Sequence, residues 1–380
     1  MRNDEESNRN LLALDAEKQF EYIIDTAIDH NVDFIVHSGD MFDKINVKHT
    51  DLLGAMRVID KLKEVDIPFI VIGGNHDKPA TLGVTSPLKI LKYQKNYYSI
   101  LDKATKSLSI NGENVNIHGI GYLRTGLEDV FKPYVKSLLE KKNEGYNILT
   151  SHQFVVNSNP GFEVSDSNEP QIPIPDIPRS LNYVAMGHIH KRQTQNHPLN
   201  KELKIHYPGS PIVIDFNERA EKKGISIVDI TSKSSEIKTI DVPLRKYVEV
   251  DFEVNDPTTT EIEQMIEELI VKYADPEAFV GFRLKGGMQL TLRKYTMHHN
   301  YRKYFKKFAG FHIYQDSKGF KWYDQDGVTI EGIENWIMDP IKELESALDD
   351  RSGLSEEKKK RLMTLGEEII EQFKVNENGS

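Results

Sequence analysis

Short apolar runs alternate with segments of helical periodicity along the first 240 residues of the chain. Val32–Ser38 and Ile67–Ile72 are apolar runs of strand length, which is typical of strands buried inside a sheet. Residues 51–65 lie between them and carry apolar side chains at helical spacing, namely Leu52, Leu53, Met56, Ile59, Leu62 and Val65. The pattern therefore predicts a strand, a helix and a second strand in succession.

Further apolar runs of strand length follow toward the middle of the chain. They are Val115–Ile120, Asn147–Thr150, Tyr183–Met186, Ile212–Phe216 and Ile225–Ile230. Strands that first alternate with helices and then follow one another closely predict a layered α/β domain, which we place at residues 1–242. The connection from Val156 to Pro178 is long and rich in Pro, Asn, Ser and acidic residues, which favours a functional or mobile loop.

The pattern changes near Pro243. Alternating apolar residues from Val248 to Phe252 predict a strand, and residues 258–273 predict an amphipathic helix. Two more strand-like segments follow, Phe279–Leu284 and Met288–Leu292. These elements predict a small α+β domain over residues 243–330. Residues 331–380 are charged and predict a separate helical tail, because their apolar residues fall on one helical face, at Leu362, Leu365, Ile369 and Phe373.

The composition narrows the chemistry that such a fold can carry. The 380 residues include no cysteine, which excludes disulfides, Cys-ligated zinc, iron–sulfur clusters and a cysteine nucleophile. No apolar run approaches the roughly 18 residues of a membrane helix, and the polar N-terminus is unlike a signal peptide. We therefore expect an intracellular protein without membrane contact, in which His, Asp, Glu or Asn would bind any metal. The net charge of −10 argues only weakly against nucleic acid as a partner, because local basic patches remain open.

Four short polar segments directly follow predicted strands. They are Ser38-Gly39-Asp40, Gly74-Asn75-His76-Asp77, Ser151-His152-Gln153 and Gly187-His188-Ile189-His190. Ligands of open α/β sheets bind at the carboxyl ends of strands, so we expect the four segments to meet at one edge. Imidazole, carboxylate and amide oxygen together suit Mn, Fe or Zn. Two such ions bridged by a carboxylate are a common device for phosphodiester hydrolysis, which is therefore the predicted chemistry.

These segments resemble the calcineurin-like metallophosphoesterases. A narrower resemblance is to the DNA double-strand-break repair nucleases, which are the meiotic-recombination-eleven nucleases and their bacterial SbcD relatives. It rests on His76-Asp77, Ser86-Pro87-Leu88, Ser151-His152-Gln153, His190-Lys191 and Tyr207-Pro208-Gly209-Ser210. The resemblance covers residues 30–230 closely, and it implies a layered metallophosphoesterase sandwich with a small α+β capping domain and a helical C-terminal tail.

The resemblance also implies a role for each motif residue. The cofactor would be two Mn2+ ions, bridged by Asp40. His190 would bind one ion, and His76 would contact the scissile phosphate and help to stabilise or protonate the leaving oxygen without binding metal. The remaining ligands, all on the other ion, would be Asn75, His152 and His188. The implied activity is that of an exonuclease and single-strand endonuclease.

One departure from the family concerns its first motif, a strand ending in Asp-x-His about forty residues before the Gly-Asp. Residues 1–39 contain no Asp-x-His, since Asp29 and His30 are adjacent rather than spaced. A truncated sequence and the natural loss of half the site are both explanations. In either case the ion at His190 would keep only Asp40 and His190 as ligands, so we expect the chain as written to be nearly inactive.

Residues 285–323 form a basic segment within the acidic chain. They hold nine Lys or Arg against a single acid, Asp316, and aromatic residues lie between them. Basic groups neutralise backbone phosphates, and aromatic rings stack on unpaired bases. A small-domain core of aromatics with a solvated basic rim is the alternative. The segment predicts DNA contacts beside a nuclease-like site, at Arg293, Lys294, Arg302, Lys303, Lys306 and Lys307.

The apolar stripe of the tail has two explanations, packing on its own domain or docking to a partner helix. Its regular spacing, its distance from the motifs and the charged stretch before it favour a partner. In the resembled family that partner is an SMC-like coiled-coil ABC-type ATPase. We further expect a homodimer, and a cytoplasmic, nucleoid-associated location if the source is prokaryotic.

The sequence thus predicts a manganese-dependent DNA nuclease of double-strand-break repair. One alternative is a different metallophosphoesterase acting on nucleotides or phosphoproteins, against which the basic segment and the tail argue. The other is a non-catalytic DNA-tethering scaffold, which the absent Asp-x-His favours. A strand ending in Asp-x-His encoded in frame upstream of Met1 would distinguish the enzyme from the scaffold.

Overall fold

A computed structural model describes residues 9–79, 84–140, 144–156, 169–324, 326–330, 355 and 358–365. Its helices are α1 (Leu11–Asp29), α2 (His49–Asp60), α3 (Leu62–Val65), α4 (Leu88–Leu91), α5 (Leu127–Glu140) and α6 (Thr259–Lys272). Short 3₁₀ helices cover Ile174–Asp176, Phe216–Ala220, Leu290–Thr296 and His298–Lys307. Within the described part of the chain, no helix is both long and apolar enough to span a membrane.

The described residues also contain seventeen strands. The first nine are β1 (Ile35–His37), β2 (Phe69–Ile72), β3 (Tyr97–Ile100), β4 (Lys103–Ile110), β5 (Glu113–Ile120), β6 (Tyr146–Ser151), β7 (Phe154–Val156), β8 (Gln171–Pro173) and β9 (Tyr183–Met186). The others are β10 (Gln193–His197), β11 (Asn200–Tyr207), β12 (Gly224–Ile230), β13 (Ser235–Asp241), β14 (Lys246–Asn255), β15 (Asp275–Gln289), β16 (Phe308–Tyr323) and β17 (Thr329–Ile330).

Two sheets form the centre of the N-terminal part. The first has the order β1-β2-β3, with parallel pairs, and the second has the order β10-β11-β9-β6-β5-β4. Side chains of both sheets share one apolar cluster, in which Ile70 and Ile72 of β2 meet Ile117 of β5 and Ile148 of β6. Because these side chains are almost wholly buried, the two sheets pack face to face as a sandwich.

Helices cover the outer faces of this sandwich. Helix α1 begins at Asn10, whose side-chain oxygen accepts a hydrogen bond from the Leu12 amide at 2.8 Å. Its Ile24 packs with residues of α2 and β2 in a buried cluster. On the far side, Phe131 of α5 packs against strands of the second sheet. The predicted layered α/β fold is therefore confirmed, with the order helix, sheet, sheet, helix.

The chain divides into two compact units. The first comprises residues 1–250, 272–281 and 301–312, and the second comprises residues 251–271, 282–300 and 313–380. A four-stranded sheet of order β14-β15-β16-β17 and helix α6 follow the sandwich in sequence, in agreement with the α+β pattern predicted there. The predicted boundaries at 242 and 330 remain predictions, since this division into units does not test them.

Two predicted strands are wrong. Residues 212–215 form a loop instead, in which the Ile214 amide donates to the carboxylate of Glu218; just after this loop, the Asn217 amide donates to Asp215. Asp215 thereby caps a 3₁₀ helix that begins at Phe216. The segment Met288–Leu292 is also not a separate strand. Strand β15 continues to Gln289, where a 3₁₀ helix begins.

Burial of His206 in β11 should make the sandwich sensitive to acid. Its imidazole is 1% exposed and hydrogen-bonds to the hydroxyls of Thr194 and Ser226, and burial lowers its pKa to about 4. The unfolded chain takes up this proton near pH 6.5, before the folded chain does. The stabilising contribution of neutral His206 is therefore complete above pH 6.5 and is lost as the pH falls through about 4.

We expect the unfolding free energy to fall less between pH 7 and pH 4.5 in His206→Gln than in the wild-type chain. The full linkage is at most on the order of 3 kcal/mol. Urea unfolding at the two pH values measures the difference, and His49→Gln, which alters an exposed histidine, is the control. Equal losses in the wild-type chain and His206→Gln would contradict the assignment.

Candidate metal centre

The four predicted strand-end segments follow β1, β2, β6 and β9. Strands β1 and β2 are parallel neighbours, and so are β6 and β9, so the carboxyl ends within each pair point the same way. The two sheets pack face to face, and the structure brings Asp40, Asn75, His152 and His188 together at this edge. The expected convergence of these four side chains is therefore present in the structure.

The loops approach so closely that side chains are excluded at two glycines. A Cβ at Gly74 would lie 2.0 Å from Oδ1 of Asp40. A Cβ at Gly187 would lie 1.9 Å from the carbonyl oxygen of Ser38 and 2.7 Å from Nδ1 of His152. Contacts under 3 Å require movement of the neighbour, so both loops depend on glycine at these points.

The donor atoms have the spacing of neighbouring ligands. Asn75 Oδ1 lies 3.0 Å from His152 Nε2 and 3.2 Å from His188 Nδ1, and His152 Nε2 lies 3.1 Å from Asp40 Oδ2. Two ligands that are each about 2.1 Å from one ion and at right angles to each other are about 3.0 Å apart. Among the described residues, no group of three or more His, Asp or Glu side chains is placed to hold a metal ion, and the donor set described here includes the amide oxygen of Asn75.

Hydrogen bonding to the backbone orients His152 toward this cluster. Its Nδ1 is 2.6 Å from the carbonyl oxygen of Ser38, and because a carbonyl only accepts, Nδ1 carries the proton. In the neutral ring, Nε2 then presents a lone pair toward the oxygens of Asn75 and Asp40. Three acceptor atoms that face one another favour a cation between them, and their nitrogen and oxygen chemistry fits Mn, Fe or Zn.

Asp40 remains a carboxylate although it is mostly enclosed. Burial opposes its ionisation, but donation from the His152 ring when that ring is protonated, together with donation from the His76 amide, outweighs burial and lowers its pKa. Asp40 and His188 also have positive φ values, 56° and 89°. Such conformations cost on the order of 1–3 kcal/mol for non-glycine residues and persist only where surrounding contacts enforce them. The strain therefore coincides with the ligand cluster.

Asp77, in the same motif as Asn75, has a supporting position. Its side chain is fully buried and accepts hydrogen bonds from the amides of Gly74, Met41 and Phe42, at 3.0, 3.1 and 3.2 Å. These amides belong to the loops after β2 and β1. Burial and the nearby Asp40 raise the pKa of Asp77, while the three amides oppose that rise. Asp77 thus joins the loops that carry Asp40 and Asn75.

The two histidines of Gly187–His190 have different partners. His188 Nδ1 contacts Asn75, and its Nε2 is 2.9 Å from Oε2 of Glu169. His190 lies outside this hydrogen-bonded cluster, because its Nδ1 bonds to Oε1 of Glu218 at 2.8 Å. That bond raises the pKa of His190. For Glu218, burial opposes ionisation, but hydrogen bonds from His190 and Lys223 hold its pKa at about 2.

Sequence reasoning missed both glutamates. Glu169 lies in the long loop that was predicted to be functional or mobile, and Glu218 lies within the segment next to the wrongly predicted strand. Neither stands in a motif with fixed spacing to a histidine. The sequence offered only one weak indication of these partners, which is that acidic residues occur near the predicted ligand loops.

His76 lies beside the cluster and is exposed. Its backbone amide donates to Oδ1 of Asp40 at 2.9 Å, and its Nδ1 is 2.6 Å from the carbonyl oxygen of Asp43. The ring is therefore held through Nδ1, which carries the proton. This arrangement is compatible with the predicted contact between Nε2 and a phosphate.

The predicted DNA-binding and partner-binding residues lie outside the loops that follow β1, β2, β6 and β9. Arg293 and Lys294 belong to the second unit, whereas Arg302, Lys303, Lys306 and Lys307 belong to the first and are exposed. Residues 358–365 are helical, and Leu362 and Leu365 are 40% and 52% exposed. Ile369 and Phe373 lie outside the described residues. The DNA-binding and partner-binding roles remain predictions.

The chain is similar to known phosphoesterases. Residues 14–192 match the family model of the calcineurin-like phosphoesterases. The DNA double-strand break repair protein Mre11 of Sulfolobus acidocaldarius is 30% identical over 67% of this chain, and the match covers less than two thirds of that protein, 63%. The protein of the same name from Thermoplasma acidophilum is 29% identical over 73% of this chain and 74% of its own length. A solved structure of a hypothetical protein from Thermus thermophilus covers 60% of this chain and 94% of its own, at 13% identity and a TM-score of 0.35.

Replacing Gly74 by Ala should weaken Mn2+ binding although no ligand is changed. The new Cβ would collide with Asp40 and displace its carboxylate from the cluster. Changes that disturb the orientation of ligands typically cost 10- to 100-fold in metal affinity, so we expect a loss of about that size. Isothermal titration with Mn2+ measures it, and a thermal melt checks folding.

Gly54→Ala is the matched control for this substitution. Gly54 lies on α2, outside the ligand loops, and the three atoms nearest to its new Cβ would all belong to the carboxylate of Glu17. Affinity in Gly54→Ala should equal that of the wild-type chain. Unchanged affinity in Gly74→Ala would show that Asp40 does not bind the ion.

Proposed function

We propose that this site hydrolyses phosphodiester bonds of DNA at double-strand breaks, because residues 14–192 match the family model of the calcineurin-like phosphoesterases. The observation that carries the proposal is the convergence of Asp40, Asn75, His152 and His188 at one sheet edge. The similarity to proteins named for double-strand break repair supports DNA as the substrate. We further propose exonuclease and single-strand endonuclease activity with Mn2+ as the cofactor.

Asp40, Asn75, His152 and His188 would hold one divalent ion. Asp40 would also contact a second ion, together with His190. Divalent ions supply Lewis-acid stabilisation of phosphate charge and a nucleophile at neutral pH. The protein contributes the geometry: Ser38 fixes the ring of His152, and the glycines bring the loops into contact.

His76 would act on the leaving group. Its exposed ring is held by the carbonyl oxygen of Asp43 at Nδ1, which leaves Nε2 as the atom that meets the substrate. A protonated His76 can donate from Nε2 to the leaving oxygen, and the Asp43 carbonyl accepts from Nδ1 throughout. The amide of His76 meanwhile bonds to Asp40, so the acid and the ligand are joined through the backbone.

The basic residues would bind the DNA backbone. Arg302, Lys303, Lys306 and Lys307 are exposed, and the ammonium groups of Lys303 and Lys307 lie 4.8 and 5.3 Å from the ring centre of Tyr304. Cations that alternate with aromatic rings can pair with phosphates and stack on unpaired bases. We assign the same role to Arg293 and Lys294.

The tail would bind a protein partner. Leu362 and Leu365 are three residues apart, on the same face of the helix, and both are substantially exposed. A helix with an exposed apolar face is suited to docking in a partner's groove. We propose that the partner is an SMC-like coiled-coil ATPase, and that the nuclease acts as a homodimer.

Replacing Arg302, Lys303, Lys306 and Lys307 by Ala should weaken DNA binding of any sequence. Each lost phosphate contact should flatten the plot of log affinity against log salt by about 0.9 for duplex DNA. Fluorescence anisotropy at several salt concentrations measures the slope. Alanine replacement of four other exposed lysines, Lys48, Lys63, Lys89 and Lys201, is the charge-matched control. An unchanged slope in the first variant would indicate that these basic residues form a solvated rim and do not contact DNA.

The 380-residue chain should cleave DNA slowly at best, because residues 1–39 provide no Asp-x-His for the second ion. Adding a strand that ends in Asp-x-His should raise Mn2+-dependent cleavage on the order of a thousandfold or more, since losing one ion removes several kcal/mol of transition-state stabilisation. In the extended chain, His76→Ala should abolish cleavage and retain the metal, whereas His49→Ala should leave both cleavage and metal content unchanged.

Cleavage of DNA with free ends and bound metal content, measured on the same preparations, test this expectation. Robust cleavage by the 380-residue chain with two bound ions would refute the role given to the missing motif. Binding of DNA without cleavage by the extended chain would favour the scaffold over the nuclease.

A further inference from the structure

We propose that Glu169 and Glu218 are positioning residues that hold the two histidines of Gly187–His190 in opposite tautomers. His188 would carry its proton on Nε2, and His190 would carry its proton on Nδ1. The tautomers follow from hydrogen bonding alone, whereas their purpose, to present lone pairs to metal ions, rests on the proposed function.

The assignment for His190 follows from its contact with a carboxylate. Its Nδ1 lies 2.8 Å from Oε1 of Glu218. An ionised carboxylate only accepts hydrogen bonds, so the proton must be on Nδ1. In the neutral ring the lone pair is then on Nε2, the nitrogen farther from the backbone.

His188 shows the reverse arrangement. Its Nε2 lies 2.9 Å from Oε2 of Glu169, so the proton is on Nε2 and the lone pair on Nδ1. Nδ1 is the atom that faces Oδ1 of Asn75 at 3.2 Å, inside the ligand cluster. A ligand histidine commonly donates its other ring N–H to a carboxylate, which fixes the ring and raises its basicity.

The opposite tautomers give one short loop two donor atoms of different reach. Nδ1 lies next to the carbon that joins the ring to the backbone, whereas Nε2 lies at the far side of the ring. His188 and His190 are only two residues apart, yet the first would offer a near nitrogen and the second a distant one. Such a pair can serve two neighbouring ions without a second loop.

Glu218 is itself firmly held by a buried lysine. Lys223 is 2% exposed, and its ammonium group lies 2.8 Å from Oε2 of Glu218, 2.8 Å from Oε2 of Glu221 and 3.2 Å from the carbonyl oxygen of His190. The Ile214 amide also donates to Oε2 of Glu218. One oxygen of Glu218 is thus occupied by Lys223 and the backbone, which directs the other oxygen at His190.

Lys223 and Ser210 also fix the backbone of His190. Its carbonyl oxygen accepts from the Ser210 amide at 2.9 Å as well as from Lys223. The Glu169 side chain is more exposed than that of Glu218, 38% against 13%, and the Tyr122 hydroxyl lies 3.4 Å from Oε2 of Glu169. We therefore expect the stronger tautomer preference at His190.

Nitrogen NMR of the whole chain, labelled with ¹⁵N-histidine and free of metal and DNA, reads the tautomers directly. Signals are assigned from His188→Gln and His190→Gln. The wild-type chain should show protonated Nε2 in His188 and protonated Nδ1 in His190. Glu218→Ala should mix the tautomers of His190 alone, and Glu169→Ala should mix those of His188 alone.

Two further variants separate positioning from general support of the fold. Glu221→Ala removes the other carboxylate from Lys223 but no partner of His190, so both tautomers should remain as in the wild-type chain. Glu218→Gln keeps an oxygen that can accept from Nδ1 and should preserve the His190 tautomer. A change in Glu221→Ala equal to that in Glu218→Ala, or an unchanged His190 tautomer in Glu218→Ala, would overturn the proposal.

Metal binding gives an independent readout. Titration with Mn2+, followed by electron paramagnetic resonance, should show a 10- to 100-fold weaker affinity in Glu169→Ala, because His188 belongs to the four-residue cluster. Glu169→Gln should recover most of it, and unaltered affinity in Glu169→Ala would overturn the role of Glu169. If the tautomers respond as stated but the extended chain does not cleave DNA, the nuclease proposal fails while the positioning role stands.

Discussion

The ligand cluster depends on the contact between the loops that follow β1 and β2. The buried carboxylate of Asp77 maintains this contact, because it accepts one amide from its own loop and two from the other. Burying a charge is costly unless it is hydrogen-bonded, and here three amides supply the bonds. The two hydrogen bonds of His76 join the same loops, from its amide to Asp40 and from its Nδ1 to the Asp43 carbonyl.

The sandwich explains why the ligands come from distant parts of the chain. Parallel pairing aligns the ends of β1 with β2 and of β6 with β9, and the shared apolar cluster of the two sheets sets the loops face to face. The core therefore specifies where the ligands meet, and the glycines specify how closely. Stability and site geometry are consequences of the same packing.

Much of this arrangement could be predicted from the sequence. Apolar runs such as Tyr183–Met186 predict buried strands, and residues placed directly after such runs must lie at the sheet edge. The pattern failed at Ile212–Phe216, where apolar residues suggested a strand but Asp215 and Glu218 captured the amides. The spacing of hydrophobic residues gives no information on whether side-chain carboxylates will bind the backbone amides that a strand would need.

The supporting carboxylates could not be predicted in the same way. Glu169 precedes His188 by 19 positions and Glu218 follows His190 by 28, and no regular spacing connects either glutamate with its histidine. Their contacts arise only once the intervening chain has folded. The roles of the basic residues and the tail also rest on the sequence, and remain predictions.

The bond between His152 and the Ser38 carbonyl joins residues 114 positions apart. Contacts of such long range form late, because the entropy of closing a large loop must be overcome before they are gained. A partly folded chain that lacks this contact would not hold the ligands together. An ion that binds only the assembled cluster would therefore stabilise the finished fold by mass action, and its uptake would report the completion of folding.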